Sequence, residues 1–86
     1  MYRLTTPSKR VEKMVLQAVS RDSTIRTKAR ELCLHPRTAL FAHKLKGKLA
    51  GKWGCSLGYD LRMVYIIDDD RKEVVVLGIG THKIYR

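Results

Sequence analysis

The sequence predicts an α+β protein: an antiparallel sheet of three to four strands with an N-terminal helical hairpin on one face, in the order β-α-α-β-β-β. Two patterns and the length lead there. Apolar residues between positions 11 and 32 recur at helical spacing, and those between 53 and 80 fall into short β-prone runs separated by glycines and aspartates. With 86 residues, folding hides little more than ~60% of the surface the unfolded chain exposes. That leaves room for one thin core, so residues 1–86 are read as one domain.

Residues 2–6 are β-prone and stopped by Pro7, which makes a first strand. Ser8 then stands where a helix cap belongs, ahead of Val11, Met14, Val15, Ala18 and Val19 on one helical stripe. Asp22 and Ser23 offer a second cap, and Ile25, Ala29 and Leu32 form the next stripe. Pro36 ends that helix because it disfavours helical geometry at His35. Beyond Leu40, "HKLKGKLAGKWG" reads as a glycine- and lysine-rich loop leading into a strand over 53–57. Residues 61–67 are apolar on both faces, as a central strand requires. The tetrad at 68–71 is a polar turn, and "EVVVLGIG" returns as the last strand.

Eighteen Lys and Arg against eight Asp and Glu give a formal net charge of +10, and 44% of the residues are still apolar, which describes a folded basic domain rather than a basic tail. All of the excess lies in residues 1–59, which hold thirteen Lys/Arg and three Asp/Glu. Such a field favours a polyanion or an acidic protein partner. No run approaches the ~18 apolar residues that span a bilayer. "MYRLTTPSKR" lacks the apolar core of a signal peptide, so Cys33 and Cys55 are read as reduced thiols of a cytoplasmic protein. His35, His43 and His82 with the two cysteines show no metal-ligand spacing, and no glycine-rich phosphate loop opens a helix. Neither a metal nor a cofactor is expected.

Charge placed among strands marks the candidate site. Alternation along 61–67 sets Leu61, Met63, Tyr65 and Ile67 on one face and Asp60, Arg62, Val64 and Ile66 on the other. If the helices cover the first face, Asp60 and Arg62 look outward. Antiparallel pairing across the aspartate turn then returns His82 and Tyr85 beside them. A histidine titrating near neutral pH, a carboxylate and an arginine suit cleavage of an RNA phosphodiester by its own 2′-hydroxyl. Each also has a plainer reading: a turn for Asp60, an ion pair for Arg62, packing for Tyr85, core for Trp53, and a solvated face for the lysines from 44 to 52.

The run "HKLKGKLAGKWGCSLGYDLRMVY", with the acidic turn and "VVVLGIGTH" after it, resembles the RelE/ParE superfamily of toxins from toxin–antitoxin pairs, and within it the RelE and YafQ branches. The resemblance implies a RelE-like fold and a ribosome-dependent endoribonuclease that cuts mRNA in the A site. It also implies a cognate acidic antitoxin, a toxin that is monomeric alone, and a hetero-oligomeric complex. It assigns catalytic positions to His43, Asp60 and His82 by the YafQ pattern and to Arg62 by the RelE pattern, with Tyr85 as the aromatic residue near the C-terminus. Lys44, Lys46, Lys48, Lys52 and Trp53 would then contact RNA. The chain departs from the pattern at Ser56, where YafQ-like toxins carry a second histidine, and at Gly54, where they carry an acid; RelE's lysine pair in that strand is missing too. Two other readings stay open: a ParE-like toxin that inhibits DNA gyrase, and a basic RNA- or ribosome-binding domain with weak catalysis or none.

Overall fold

The computed structural model describes residues 1–81 and residue 84. Helix α1 (Lys9–Arg21) starts where the Ser8 hydroxyl oxygen accepts from the Val11 N–H at 3.1 Å. Val11 is buried, and Met14, Val15 and Ala18 pack against the core, so the predicted stripe is the one that faces inward. Helix α2 (Thr24–Leu34) follows after Asp22 and Ser23 alone, which forces a hairpin. Of the two candidate caps it is Asp22 that acts. Its carboxylate accepts from the Thr24 hydroxyl at 2.6 Å and from the Thr24 N–H at 2.9 Å. Those two bonds hold the Asp22 carboxyl below its ordinary range. The helix buries Ile25, Leu32 and Cys33 and ends at His35, which is non-helical (φ −139°) ahead of Pro36.

The sheet has five strands, one more than the upper end of the expected range, in the order β1-β5-β4-β3-β2. Strand β3 (Trp53–Ser56), β4 (Arg62–Asp68) and β5 (Glu73–Gly80) form the predicted antiparallel meander. Strand β1 (Arg3–Thr5) joins its β5 edge in parallel, because the helical hairpin carries the chain across one face in between. The extra strand is β2 (His43–Lys44), inside the stretch expected to be loop, pairing antiparallel to β3. Two residues cannot display a period of two, so composition alone reads them as loop.

The interior is built from Leu32, Cys55, Leu57, Tyr65, Val74 and Val76, all essentially inaccessible. The sequence places Tyr65 on the helix-facing side, and there its hydroxyl donates to the Pro36 carbonyl at 2.6 Å, tying the end of α2 to the central strand. One register shift matters for the site. Tyr65 faces Val76 while Val64 faces Gly78, so Leu77 is an extra residue in β5. The bulge turns Ile79 inward after Val74 and Val76, and it leaves Gly78 and Gly80 on the outer face. Ile84 lies over that face, with its Cδ1 3.1 Å from where a Cβ on residue 78 would stand. A side chain at 78 would require the end of Ile84 to shift by a few tenths of an ångström.

Candidate anion site on the outer face

Cross-strand partners share a face of a sheet, so the pairing register states which side chains meet. His43 faces Gly54, Ser56 faces Arg62, and Arg62 faces Gly80. His43, Ser56 and Arg62 therefore stand on one face, around two positions without side chains. With Phe41 and Cys55 they line a concavity of about 310 Å³. Gly54 itself is buried in β3 opposite His43.

Arg62 is half-buried and is positioned by neutral acceptors. Its Nη1 donates to Ser56 Oγ at 3.2 Å and to the carbonyls of Gly58 and Leu61, each at 3.3 Å. Ser56 Oγ itself donates to the Gly58 carbonyl at 3.2 Å. Among the described residues the ion pairs are Arg3–Glu73 and Arg37–Asp69, neither of which involves Arg62. Among the described residues the guanidinium is thus oriented by neutral acceptors and has no carboxylate partner, an arrangement suited to recognition of an oxyanion. On the far side of the loop, Lys28 Nζ donates to the Leu57 carbonyl at 2.8 Å, so α2 holds the turn that precedes β4.

His43 is exposed, and its Nδ1 lies 3.0 Å from the Phe41 carbonyl oxygen. A carbonyl only accepts, so in that contact the ring donates through Nδ1. The backbone just before it is unusual: Leu40 and Phe41 both have φ of 58°. Two consecutive left-handed non-glycine residues cost on the order of 1–3 kcal/mol each. Neither residue type carries a local sequence signal for that geometry, so Phe41 is a site residue that sequence reasoning missed, while Ser56, noted there only as a departure, is the hydroxyl that holds Arg62.

The expected RNA-contacting set divides between two faces. Trp53 faces Tyr65 and packs partly buried against the core, on the opposite side of β3 from Ser56. That side of the sheet matches the plainer of its two readings, a core residue. Lys44 pairs with Trp53 and stands 6.0 Å from its ring centroid, so it too leaves the face of His43. Lys46 and Lys48 are exposed in the turn after β2, and Lys52 lines an outer-face cavity with Leu49, Val64, Leu77, Gly78 and Ile84. Asp60 lines a separate groove of about 470 Å³ with Met14, Arg21 and Tyr59 between α1 and the loop before β4. His82 and Tyr85 lie outside the described residues. Cys33 and Cys55 are buried free thiols. Among the described residues no three His, Cys, Asp or Glu side chains come together as a metal site.

Comparison with known proteins was made by sequence and by structure. No family model and no curated protein matches the sequence. Solved structures do match. A YoeB/ParE toxin from Agrobacterium tumefaciens superposes with a TM-score of 0.73 at 20% identity, over 93% of this chain and 98% of that one. The YoeB–YefM toxin–antitoxin heterotetramer from Staphylococcus aureus gives 0.71 at 20% identity, over 95% and 98%. YafQ from E. coli gives 0.68 at 20% identity, over 98% and 97%. The fold is therefore the one predicted from the resemblance, that of the RelE/YafQ-like toxins, covering nearly the whole chain.

Proposed function

With that fold as the premise, we propose that the chain is the toxin of a type II toxin–antitoxin pair. In this reading it is a metal-independent endoribonuclease of the cytoplasm that cleaves mRNA in the ribosomal A site. The observation that carries the reading is Arg62, an oriented guanidinium without a carboxylate partner among the described residues, beside His43 in one open pocket.

The chemistry follows from those groups. His43 Nε2 takes the proton of a ribose 2′-hydroxyl, the 2′-oxygen bonds to phosphorus, and the P–O5′ bond breaks to leave a 2′,3′-cyclic phosphate. Arg62 stabilises the charge that builds on the phosphorane oxygens. His82, two residues beyond the Gly80 that pairs with Arg62, supplies the proton to the departing 5′-oxygen. Lys46, Lys48 and Lys52 hold flanking phosphates. Asp60 lines the helix-side groove rather than this pocket, so no step is assigned to it. The solved relative in complex with its antitoxin supports an analogous partner here. An acidic antitoxin would cover the +10 surface of a toxin that is monomeric by itself.

Primer extension on ribosome-bound message tests this directly. The wild-type protein should give discrete A-site cuts, and Arg62→Ala should slow them by about 10²–10³-fold, the usual effect of losing one donor to a developing oxyanion. Binding to ribosomes without cuts would leave the RNA-binding reading, whereas arrested supercoiling with intact message would establish the gyrase reading.

A further inference from the structure

Phe41 has no role in the chemistry above, yet it combines exposure with a left-handed backbone. It is 87% exposed, so its ring gains almost no burial. It stands second in a pair of left-handed non-glycine residues, a conformation the chain adopts only where something holds it. Part of that hold is its own carbonyl, which accepts from His43 Nδ1 at 3.0 Å. Phe41 lines the same concavity of about 310 Å³ as Arg62, Ser56 and His43, the lower end of the size range of small-ligand sites.

An aromatic residue lining the same concavity as a guanidinium that has no carboxylate partner among the described residues matches a ligand with a π-face next to an anion. A nucleotide within a single strand has both. We infer that Phe41 is the stacking platform for a nucleobase of single-stranded RNA whose phosphate lies against Arg62; this rests on the nuclease reading and adds to it the residue that grips the base. Stacking on one face of a ring tolerates any base, so Phe41 contributes affinity and positions the strand without selecting a sequence. Among the described residues, Trp53 is on the opposite face of the sheet, Tyr65 is buried in the core and Tyr59 lines the helix-side groove.

Fluorescence anisotropy on two ligands tests the inference: a short single-stranded RNA, and a sugar–phosphate oligomer of the same length and charge that lacks bases. Phe41→Ala should weaken RNA binding by about tenfold or more and leave binding of the abasic oligomer unchanged, while Phe41→Trp should restore the RNA affinity. Residue 41 is exposed, so alanine there should preserve the circular dichroism spectrum and melting temperature. Phe41→Ala binding RNA as tightly as the wild type overturns the stacking role. If Arg62→Gln then still weakens both ligands, the phosphate site stands without it. Wild-type protein that binds neither ligand overturns the stacking role, while the nuclease reading stands or falls separately by primer extension on ribosome-bound message.

Discussion

Arg62 is held by the Ser56 hydroxyl and two loop carbonyls, so its replacement has a structural consequence separate from any catalytic one. These are hydrogen bonds at a half-exposed position, and their loss should cost about 1 kcal/mol by urea denaturation, far less than the effect on cleavage. Arg62→Lys keeps the charge but cannot reproduce the planar fork, so it should retain the stability and lose most of the rate. The thiol beneath this pocket behaves differently. Burial pushes Cys55 up from an ordinary value near 9 to about 12, against small lowering effects of the Met63 backbone and Arg62. Below pH 9 the thiol is protonated in both the folded and unfolded chain and stability is level. Above pH 9 the unfolded chain ionises while the native thiol does not, so stability falls as pH rises toward 12, by up to about 1.4 kcal/mol per unit. Urea midpoints at successive alkaline pH values should show a shallower decline in Cys55→Ala than in the wild type.

The first turn of α1 is legible in the sequence because a cap acts locally: Ser8 accepts from the Val11 N–H only three residues on. Ser8→Ala should therefore lower stability by about 1 kcal/mol in thermal or urea melts without altering the sheet. The connection from α2 to β2 is a different case. It holds Phe41 and His43, and it is anchored by the Tyr65 hydroxyl, which reaches the Pro36 carbonyl from a strand that begins 26 residues later in the chain. Tyr65→Phe leaves that buried carbonyl without this donor and should cost about 1–3 kcal/mol. Amide exchange should show the loss concentrated in residues 35–43, since that segment loses the anchor. The β5 bulge has the same character: "EVVVLGIG" looks like an unbroken strand, and only pairing with β4 shows Leu77 to be the extra residue.

At the scale of the whole molecule, charge acts on stability and on binding in opposite directions. A net charge of +10 repels itself, and the two ion pairs among the described residues, Arg3–Glu73 and Arg37–Asp69, lie at the surface. Raising salt from about 20 to 300 mM should lift the melting temperature by a few degrees, because screening weakens that self-repulsion more than it weakens two exposed pairs. Over the same range RNA affinity should fall. Contacts to phosphate by Arg62, Lys46, Lys48 and Lys52 would give a slope of roughly −3 in log affinity against log salt, since each phosphate on a single strand contributes about −0.7. Anisotropy titrations across that series measure both the sign and the size.

Much of this protein was determined by sequence alone, namely the features that depend on near neighbours. The helical stripes, the stop at Pro36, the meander's strands and the excess of cations each follow from spacing or composition within a few residues. The site depended on pairing between distant segments. Register puts His43 beside Gly54 and Arg62 between Ser56 and Gly80, and the same register turns Trp53 and Lys44 to the other face. A strand of two residues, a bulge and a pair of left-handed residues have no local signature, because each exists only where another strand or loop holds it in place. Tertiary structure alone decided that Phe41 lines the same concavity as Arg62.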